Sequence, residues 1–206
     1  MSLSRRTFLK ASLLTSLSGN GLLLGCTRSS KQIISVPNAS DASLDMWLRI
    51  GTDDRVIVIV PSAEMGQGVT TSLTTIIAEE LDVELERLQI ALAQANTEYN
   101  KPGYGRQQST GGSNSVLTWW EPLKKIGASA RSMLVQAAAI QMQVSVAECT
   151  VENGVVKHSS GKSLRYGQVA ATAAKLDVPS EPPFKAPKDY RYIGKPVHRL
   201  DLYAKI

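Results

Sequence analysis

A short glycine-containing loop is the part of the chain whose residues are best suited to chemistry. It reads Glu-Met-Gly-Gln-Gly over residues 64–68, between the apolar run Val56–Val60 and the helical pattern Val69–Leu81. Glycines let a backbone approach a ligand closely, and unpaired N–H groups at a helix start favour its anionic part. The amide of Gln67 offers an acceptor and two donors without charge, which suits a polarised oxo group or a heteroaromatic edge. The alternative is a simple turn, for which glycine pairs commonly serve.

A second loop is rich in glycine and hydroxyl groups. Residues 94–112 show no apolar period, and a loop of this length in a compact domain is a candidate for binding. It ends in Gln-Gln-Ser-Thr-Gly-Gly-Ser-Asn-Ser, residues 107–115. Hydroxyls and free N–H groups before a helix can hold a phosphate without any lysine, although ordinary loop and cap chemistry is the competing interpretation. Two such loops in one domain favour a ligand with more than one anionic or polar group.

The elements around the first loop are predicted to be a β-hairpin and a helix. Residues 44–50 alternate apolar and polar side chains, residues 51–54 supply turn chemistry, and residues 55–60 are rich in valine and isoleucine. After the loop, apolar residues recur at helical spacing, which places Glu79 and Glu80 on the polar side of the predicted helix. The hairpin therefore leads directly into the loop and its helix.

The second loop is flanked by a strand and a long helix. Residues 88–92 alternate and predict a strand that returns to the sheet. Apolar residues from 116 to 141 fall on one helical face, which predicts a long buried helix. We expect this helix to be capped by Ser113 or Ser115 and to bend or restart at Pro122.

The remaining residues predict smaller elements and a tail. Residues 144–156, with an Asn-Gly turn, read as a second hairpin, and residues 164–174 as a short helix. The Pro-rich residues 177–206 read as an extended linker, or a strap over a neighbouring domain. The predicted fold class is α+β, with a small mixed sheet and two principal helices packed on it in the domain 44–176.

Charge and composition argue against nucleic acid as a partner. The formal net charge is +5, but Arg5, Arg6 and Lys10 lie in the first 25 residues, which hold no acidic residue; subtracting these three charges leaves +2. A nucleic-acid-binding face would need clustered basic and aromatic residues, which the sequence does not show. The two histidines, His158 and His198, are interpreted as surface residues rather than as catalysts.

The N-terminal residues predict export. The paired arginines Arg5 and Arg6 precede a moderately apolar segment of small residues, which resembles a twin-arginine signal over residues 1–26 and implies a periplasmic protein. The segment is short for a membrane span. Cys26 follows Leu-Leu-Leu-Gly, so it is either a lipoprotein processing site with a lipidated cysteine or part of an ordinary signal tail or uncleaved anchor. The polar residues 27–43 predict a flexible tether. The other cysteine, Cys149, is predicted to be a buried small hydrophobe.

Several ordered motifs together resemble a known family. The chain is similar, from about Ser4 to Ile206, to the molybdopterin-binding subunit of the xanthine dehydrogenase and aldehyde oxidase family, specifically the isoquinoline 1-oxidoreductase beta-subunit type. The motifs that carry the resemblance are residues 60–81, 107–115, 120–131, 148–154 and 192–201.

The resemblance implies a cofactor, a reaction and a set of site residues. In this family a molybdenum pterin, often as the cytosine dinucleotide, lies between domains of the large subunit, and its dithiolene sulfurs hold the metal, so no protein metal ligands are expected. Gln67 takes the role of contacting an oxo ligand of molybdenum. The implied reaction is hydroxylation of an aldehyde or an N-heteroaromatic carbon with oxygen from water. The implied cofactor-binding residues are Gly66, Gln67, Gly68, Gln108, Ser109, Thr110, Gly111, Gly112, Ser113 and Ser115.

The resemblance also implies partners, because the family's large subunits are several times longer than this chain. The expected partners are the remaining molybdopterin-binding domains or subunit, a small 2Fe–2S subunit and, as an optional addition, a cytochrome c subunit. The general-base glutamate of the family lies near the far C-terminus, in a segment this sequence lacks, so we expect no turnover from this chain alone. It is then a truncated product or a split subunit. The alternative is an exported, lipid-anchored binding or assembly protein that keeps the fold without the chemistry.

Overall fold

The computed structural model describes residues 42–44, 46–105 and 107–202. The predicted export signal 1–26, with Cys26, and most of the predicted tether lie outside the described residues. The predicted fold class is confirmed: helices and sheets are both present, and the sheet that carries the first loop is mixed.

The mixed sheet has four strands in the order of the sequence. Its strands are β1 (Ala42–Ser43), β2 (Leu48–Ile50), β3 (Val56–Val60) and β4 (Leu88–Leu92). The first three pair antiparallel, whereas β4 pairs parallel to β3 with Val58 opposite Ile90. A parallel neighbour requires a crossover, and the first loop with its helix supplies it. The predicted hairpin and returning strand are therefore confirmed, and β1 includes the last two residues of the predicted tether.

Strand β3 is buried along its whole length, because both of its faces are covered. Val56, Val58 and Val60 belong to the main core, whereas Ile57 and Ile59 face a smaller cluster on the other side of the sheet. Successive side chains of β3 thus pack into two separate cores, one on each face of the sheet. The strand that leads into the first loop is the most firmly held element of the sheet.

Two helices cover the main core. They are α1 (Val69–Leu81) and α2 (Ser115–Met142), the second of which is continuous through Pro122. The predicted restart at Pro122 is wrong, because this proline lies in the second turn and removes only the hydrogen bond to the Thr118 carbonyl. The helices cross closely at Gly127, where a Cβ atom would lie 2.9 Å from the Ile77 carbonyl oxygen and from Glu80 Cβ.

Substitution of Gly127 by alanine tests this close crossing. Overpacking costs about 1–3 kcal/mol, whereas the better helix propensity of alanine returns about 1 kcal/mol. We therefore expect Gly127→Ala to lower the free energy of unfolding by about 1 kcal/mol, measured by urea denaturation. A variant more stable than the wild type would show that the crossing is loose.

A second, antiparallel sheet lies beyond α2. It contains β5 (Cys149–Glu152), β6 (Val155–His158) and β7 (Ser163–Arg165), followed by helix α3 (Tyr166–Ala173). The predicted hairpin is confirmed. The predicted helix 164–174 begins two residues late, because β7 pairs with β6 first. Cys149 is only partly buried, contrary to prediction, and its thiol donates to the Ser145 carbonyl at 3.4 Å.

Residues 177–202, which we call the strap, contain no strand or α-helix, and a 3-10 turn spans Pro187–Asp189. The strap lies across α1 of its own domain, where the sequence predicted a strap over a neighbouring one. Glu79 and Glu80 hold it, and both have 0% exposure. The prediction that these glutamates occupy the polar side of the helix is wrong, because the strap covers Glu79, and the strap and α2 together cover Glu80.

Glu79 accepts hydrogen bonds from three consecutive strap N–H groups. The donors are Arg191 at 2.9 Å, Tyr192 at 2.7 Å and Ile193 at 3.0 Å. Burial raises the pKa of this carboxyl, but the N–H donors outweigh it, so the pKa is lowered. Glu80 accepts from the Lys185 N–H at 2.9 Å, and burial dominates there, so its pKa is raised.

Candidate functional site

The Glu64 carboxylate stabilises the first loop by accepting hydrogen bonds from the loop itself. One carboxylate oxygen accepts from the Gly66 and Gly68 N–H groups at 2.8 and 2.9 Å, and the other from the Thr70 N–H at 3.2 Å and the Thr70 hydroxyl at 2.9 Å. Burial raises the pKa of Glu64, but these donors lower it to about 2. The prediction that the start of α1 offers free N–H groups to a ligand anion is therefore wrong, since a carboxylate of the chain already occupies it.

Gln67 is exposed at the tip of this loop, and its amide is folded back on the loop. The amide oxygen accepts from the Met65 N–H at 2.7 Å, and the amide nitrogen donates to the Ala63 carbonyl at 3.0 Å. One donor hydrogen and one lone pair remain for an outside group. Positive φ angles of 103° at Gly66 and 81° at Gly68 allow this tight turn.

The strap reaches the first loop through Arg199. Its guanidinium donates to the Gly66 carbonyl at 2.6 Å, to Glu64 at 3.3 Å and to Asp201 at 2.8 Å. The hydrogen bond to Asp201 raises the pKa of Arg199, so the side chain is a permanent cation. The neighbouring Leu200 N–H donates to the Thr71 hydroxyl at 3.0 Å. These contacts fix the loop from outside, and sequence reasoning assigned Arg199 no such role.

The two predicted loops are joined directly. The Ala63 N–H donates to the Thr110 hydroxyl at 2.8 Å. Lys101, which belongs to the second loop, is only 3% exposed and donates to the Gly111 carbonyl at 3.1 Å and to the Asn114 side-chain oxygen. Nothing in the local sequence pattern indicated that Lys101 turns inward.

The start of α2 differs from the start of α1. Asn114 occupies the N-cap position but makes no side-chain bond to the helix, because its amide contacts Lys101 and Tyr104 instead. The predicted capping by Ser113 or Ser115 is wrong. In the part of the chain that the structure describes, the first-turn N–H groups of α2 thus have no side-chain cap and are available to a ligand.

A cavity of about 560 Å³ lies between the two loops. This volume is within the range of ligand pockets, about 300–1,000 Å³. Six predicted site residues line it, whereas Gly66, Gly68, Gln108 and Ser109 do not; the side chain of Gln108 donates instead to the Ala93 carbonyl at 3.4 Å. The lining residues are Met65, Gln67, Val69, Ser72, Thr110, Gly111, Gly112, Ser113, Ser115 and Val116.

The lining suits a flat, polar and anionic ligand. Apart from the adjoining residues, no heavy atom lies within 4 Å of the position that a Cβ would take at Gly111, so a ligand can lie directly on the backbone there. Hydroxyls of Thr110, Ser113 and Ser115 and the available N–H groups of α2 provide donors. The Ser72 hydroxyl already donates to the Gly68 carbonyl at 3.1 Å. The residues present therefore fit a phosphate-bearing heterocycle.

The histidines lie apart from this cavity. His158 contacts Glu148 at 3.2 Å in the second sheet, and His198 is exposed in the strap. Within the described residues, no group of three or more His, Cys, Asp or Glu side chains is arranged to hold a metal ion. Among the helices of those same residues, none has the length and hydrophobicity of a membrane span.

The fold and the cavity define an α+β domain with a ligand-sized cleft between two glycine loops. The profile of one protein family, the molybdopterin cofactor-binding domain, matches residues 11–200. The chain belongs to this family, which confirms the resemblance found in its motifs. The cofactor of the family is molybdopterin with molybdenum, as those motifs implied.

Curated relatives are longer proteins. The chain is 34% identical over 140 residues to the beta subunit of isoquinoline 1-oxidoreductase from Brevundimonas diminuta, covering 67% of this chain and 18% of that protein. It is 28% identical over 170 residues to one subunit of the nicotinate dehydrogenase of Pseudomonas putida, covering 82% and 14%. It is 31% identical over 216 residues to the membrane-bound aldehyde dehydrogenase (pyrroloquinoline-quinone) of Gluconacetobacter polyoxogenes, covering 99% and 26%. The chain thus spans about a quarter or less of each relative.

Two solved oxidoreductase structures are similar to part of this chain. Quinoline 2-oxidoreductase from Pseudomonas putida 86 is 23% identical with a TM-score of 0.43, over 61% of this chain and 15% of that one. The reconstituted CO dehydrogenase from Oligotropha carboxidovorans is 20% identical with a TM-score of 0.48, over 61% and 15%.

Proposed function

We propose that this chain supplies two cofactor-binding loops to the large subunit of a molybdenum hydroxylase. The observation that carries the proposal is the joined pair of loops, in which Thr110 bonds to Ala63 and both loops line one cavity. When bound, molybdopterin supplies the molybdenum centre that hydroxylates an aldehyde or an N-heteroaromatic carbon with oxygen from water. The chain's own residues bind and orient this group.

The two loops differ in the charge that they present to a ligand. The start of α1 is filled by the Glu64 carboxylate, which would repel an anion, whereas the start of α2 is open and lined by Ser113 and Ser115. The phosphate of the pterin, or the diphosphate of a cytosine dinucleotide form, therefore belongs at α2. Gln67 lies at the other end of the cavity and offers its remaining donor hydrogen to a polarised oxo group, an electrostatic role.

The chain positions its ligand but needs partners for turnover. None of the described residues that line the cavity has an acidic or histidine side chain to accept a proton. Apolar side chains are exposed beside the cavity, with Met65 at 71% and Leu117 at 81%. We infer that the remaining molybdopterin-binding domains cover this rim and bring the general base. Electrons then leave to a 2Fe–2S subunit, with a cytochrome c subunit as an optional acceptor.

Residues 1–26 are proposed to direct export by the twin-arginine route, with Cys26 lipidated at the mature N-terminus. The paired Arg5 and Arg6 and the cysteine after a small residue support this proposal. The mass of the protein purified from the host membrane shows whether Cys26 is lipidated. A mature chain that begins after Cys26, or that carries no acyl mass, contradicts the lipidation.

Filling the cavity tests the proposed function. Gly111 has ordinary backbone angles and open space above it, so Gly111→Trp should fold normally and occupy the ligand's place. We expect complexes purified from the exporting host to hold about tenfold less molybdenum and pterin with this variant. Metal analysis and pterin fluorescence measure the loss, and release of CMP identifies a dinucleotide.

Ser159→Trp is the matched control, because Ser159 is exposed in the turn after β6, in the second sheet. It should leave the molybdenum content unchanged. The same extracts are analysed for pyrroloquinoline quinone, which the name of one relative includes. Absence of molybdenum from every wild-type assembly would refute the proposal and favour a non-catalytic binding or assembly protein.

A further inference from the structure

Lys101 is a buried cation whose hydrogen-bond partners are all neutral. The side chain is 3% exposed, and its ammonium donates to the Gly111 carbonyl and the Asn114 side-chain oxygen. The ammonium also lies 4.7 Å from the centre of the Tyr104 ring. An ammonium group in these surroundings is well solvated by dipoles, yet its charge is not balanced.

The other buried charged groups of the domain have counter-charges. Asp54 pairs with Arg165 at 2.5 Å, Glu79 with Lys185 at 3.3 Å, and Glu80 with Arg131 at 3.7 Å. Within the described residues, no carboxylate lies within 4.0 Å of the Lys101 ammonium, so it forms no ion pair there. Burial of an unbalanced charge is unfavourable, and an anion that enters from outside relieves it.

The place where such an anion can bind is fixed by the two acceptors of Lys101. Gly111 lines the cavity, and Asn114 is the residue before the first turn of α2. Lys101 donates to the carbonyl of Gly111, and Gly111 lines the cavity, so the ammonium group is one hydrogen bond away from the lining. The positive charge of Lys101 and the positive end of the α2 dipole therefore both favour an anion at the same end of the cavity.

We propose that Lys101 is a positioning residue that sets the second loop for a phosphate or diphosphate group and balances its charge through Gly111 and Asn114. The proposal rests on the proposed function, since it assigns the anionic end of the same ligand. Lys101 does not touch the ligand. It acts through the shape of the loop and through the electrostatic potential at the start of α2.

The test measures binding of inorganic pyrophosphate and inorganic phosphate to the full chain without partners, as the shift in thermal midpoint with ligand concentration. We expect pyrophosphate to stabilise the wild type and Lys101→Met to weaken its binding about tenfold, with Lys101→Arg retaining most of it. Stabilisation by pyrophosphate alone indicates a diphosphate site, and equal stabilisation by phosphate a monophosphate site. Lys162→Met is the control, because Lys162 donates to the Met142 carbonyl at 2.7 Å, away from both loops, and its loss changes net charge equally.

The outcomes separate this proposal from the proposed function. If folded Lys101→Met binds pyrophosphate as the wild type does, or if Lys162→Met weakens binding equally, Lys101 has no special role. If the wild type ignores both anions while purified complexes still contain molybdopterin, this proposal is wrong and the proposed function stands. Lys101→Gln, which keeps a donor without the charge, decides the matter if the methionine variant unfolds. Unfolding of both neutral variants shows that the lysine is structural and overturns the proposal.

Discussion

Glu79→Gln is expected to lower the free energy of unfolding by about 3–5 kcal/mol, because it disrupts a buried charge that has several partners. The carboxylate accepts from the N–H groups of Arg191, Tyr192 and Ile193 and pairs with Lys185. An amide has one oxygen where the carboxylate has two, and its NH2 group would point a donor at donors. Urea denaturation at neutral pH measures the loss.

Glu80→Gln is the matched control, since Glu80 is the next residue and is equally buried. Burial already raises its pKa, so the folded protein disfavours its charged form, and stability falls as pH rises from 4.5 towards the raised value. Glu80→Gln removes a carboxyl whose charged form the folded protein does not favour. It should therefore lower the free energy of unfolding by less than half as much as Glu79→Gln. Equal losses would show that the two carboxylates share one role.

The pH dependence separates the two residues further. The lowered pKa of Glu79 means that its contribution is fully present above its ordinary value of 4.5 and is lost as pH falls below it. Glu79→Gln should therefore flatten the acid limb of the stability curve. An acid limb as steep as that of the wild type would contradict this assignment.

Glu64→Gln is expected to lower the free energy of unfolding by about 2–3 kcal/mol and to loosen the Gln67 loop. The carboxylate accepts from two loop N–H groups and from Thr70, so its removal releases the loop and uncaps α1. Purified complexes should also lose molybdenum, because Gln67 is no longer held in place. Hydrogen exchange of residues 64–68 and metal analysis measure the two effects.

The sign of the pH effect is fixed by the pKa of Glu64, which is lowered from 4.5 to about 2. Its stabilisation is complete above pH 4.5 and disappears as pH falls towards 2, a change that Glu64→Gln should abolish. Glu98→Gln is the control, because Glu98 is exposed in the second loop, outside residues 64–68, and its loss changes the net charge equally. It should change stability by less than about 0.5 kcal/mol. If residues 64–68 exchange their amide hydrogens as slowly in Glu64→Gln as in the wild type, the role given to Glu64 is refuted.

Local patterns in the sequence were enough to predict the strand, loop and helix that form the first half of the site. The run Val56–Val60 and the helix Val69–Leu81 have the predicted bounds, because valine-rich alternation and helical spacing are local signals. The second loop and its long helix were predicted for the same reason. The meeting of the loops at Thr110 follows from the parallel pairing of β3 with β4, which local patterns do not determine.

The partners of the charged residues could not be predicted. Glu79 and Glu80 have the spacing of a solvated face, but a segment more than 100 residues later covers both, and Arg131 of α2 also pairs with Glu80. Lys101 reads as an ordinary loop lysine, and Glu64 as a polar residue before a glycine. In each case the side chain is held by groups distant in sequence or by backbone N–H groups, to which hydrophobic periodicity is insensitive.

The long sequence separation of the strap contacts has a consequence for biosynthesis. Arg199 binds Gly66 across 133 residues, and Arg191 binds Glu79 across 112. A ribosome that adds about 5–20 residues each second takes roughly 10 s to reach Arg199 after it has made the first loop. The first loop of the nascent chain therefore lacks this contact until Arg199 has been made, and the site between the two loops is complete only after that point.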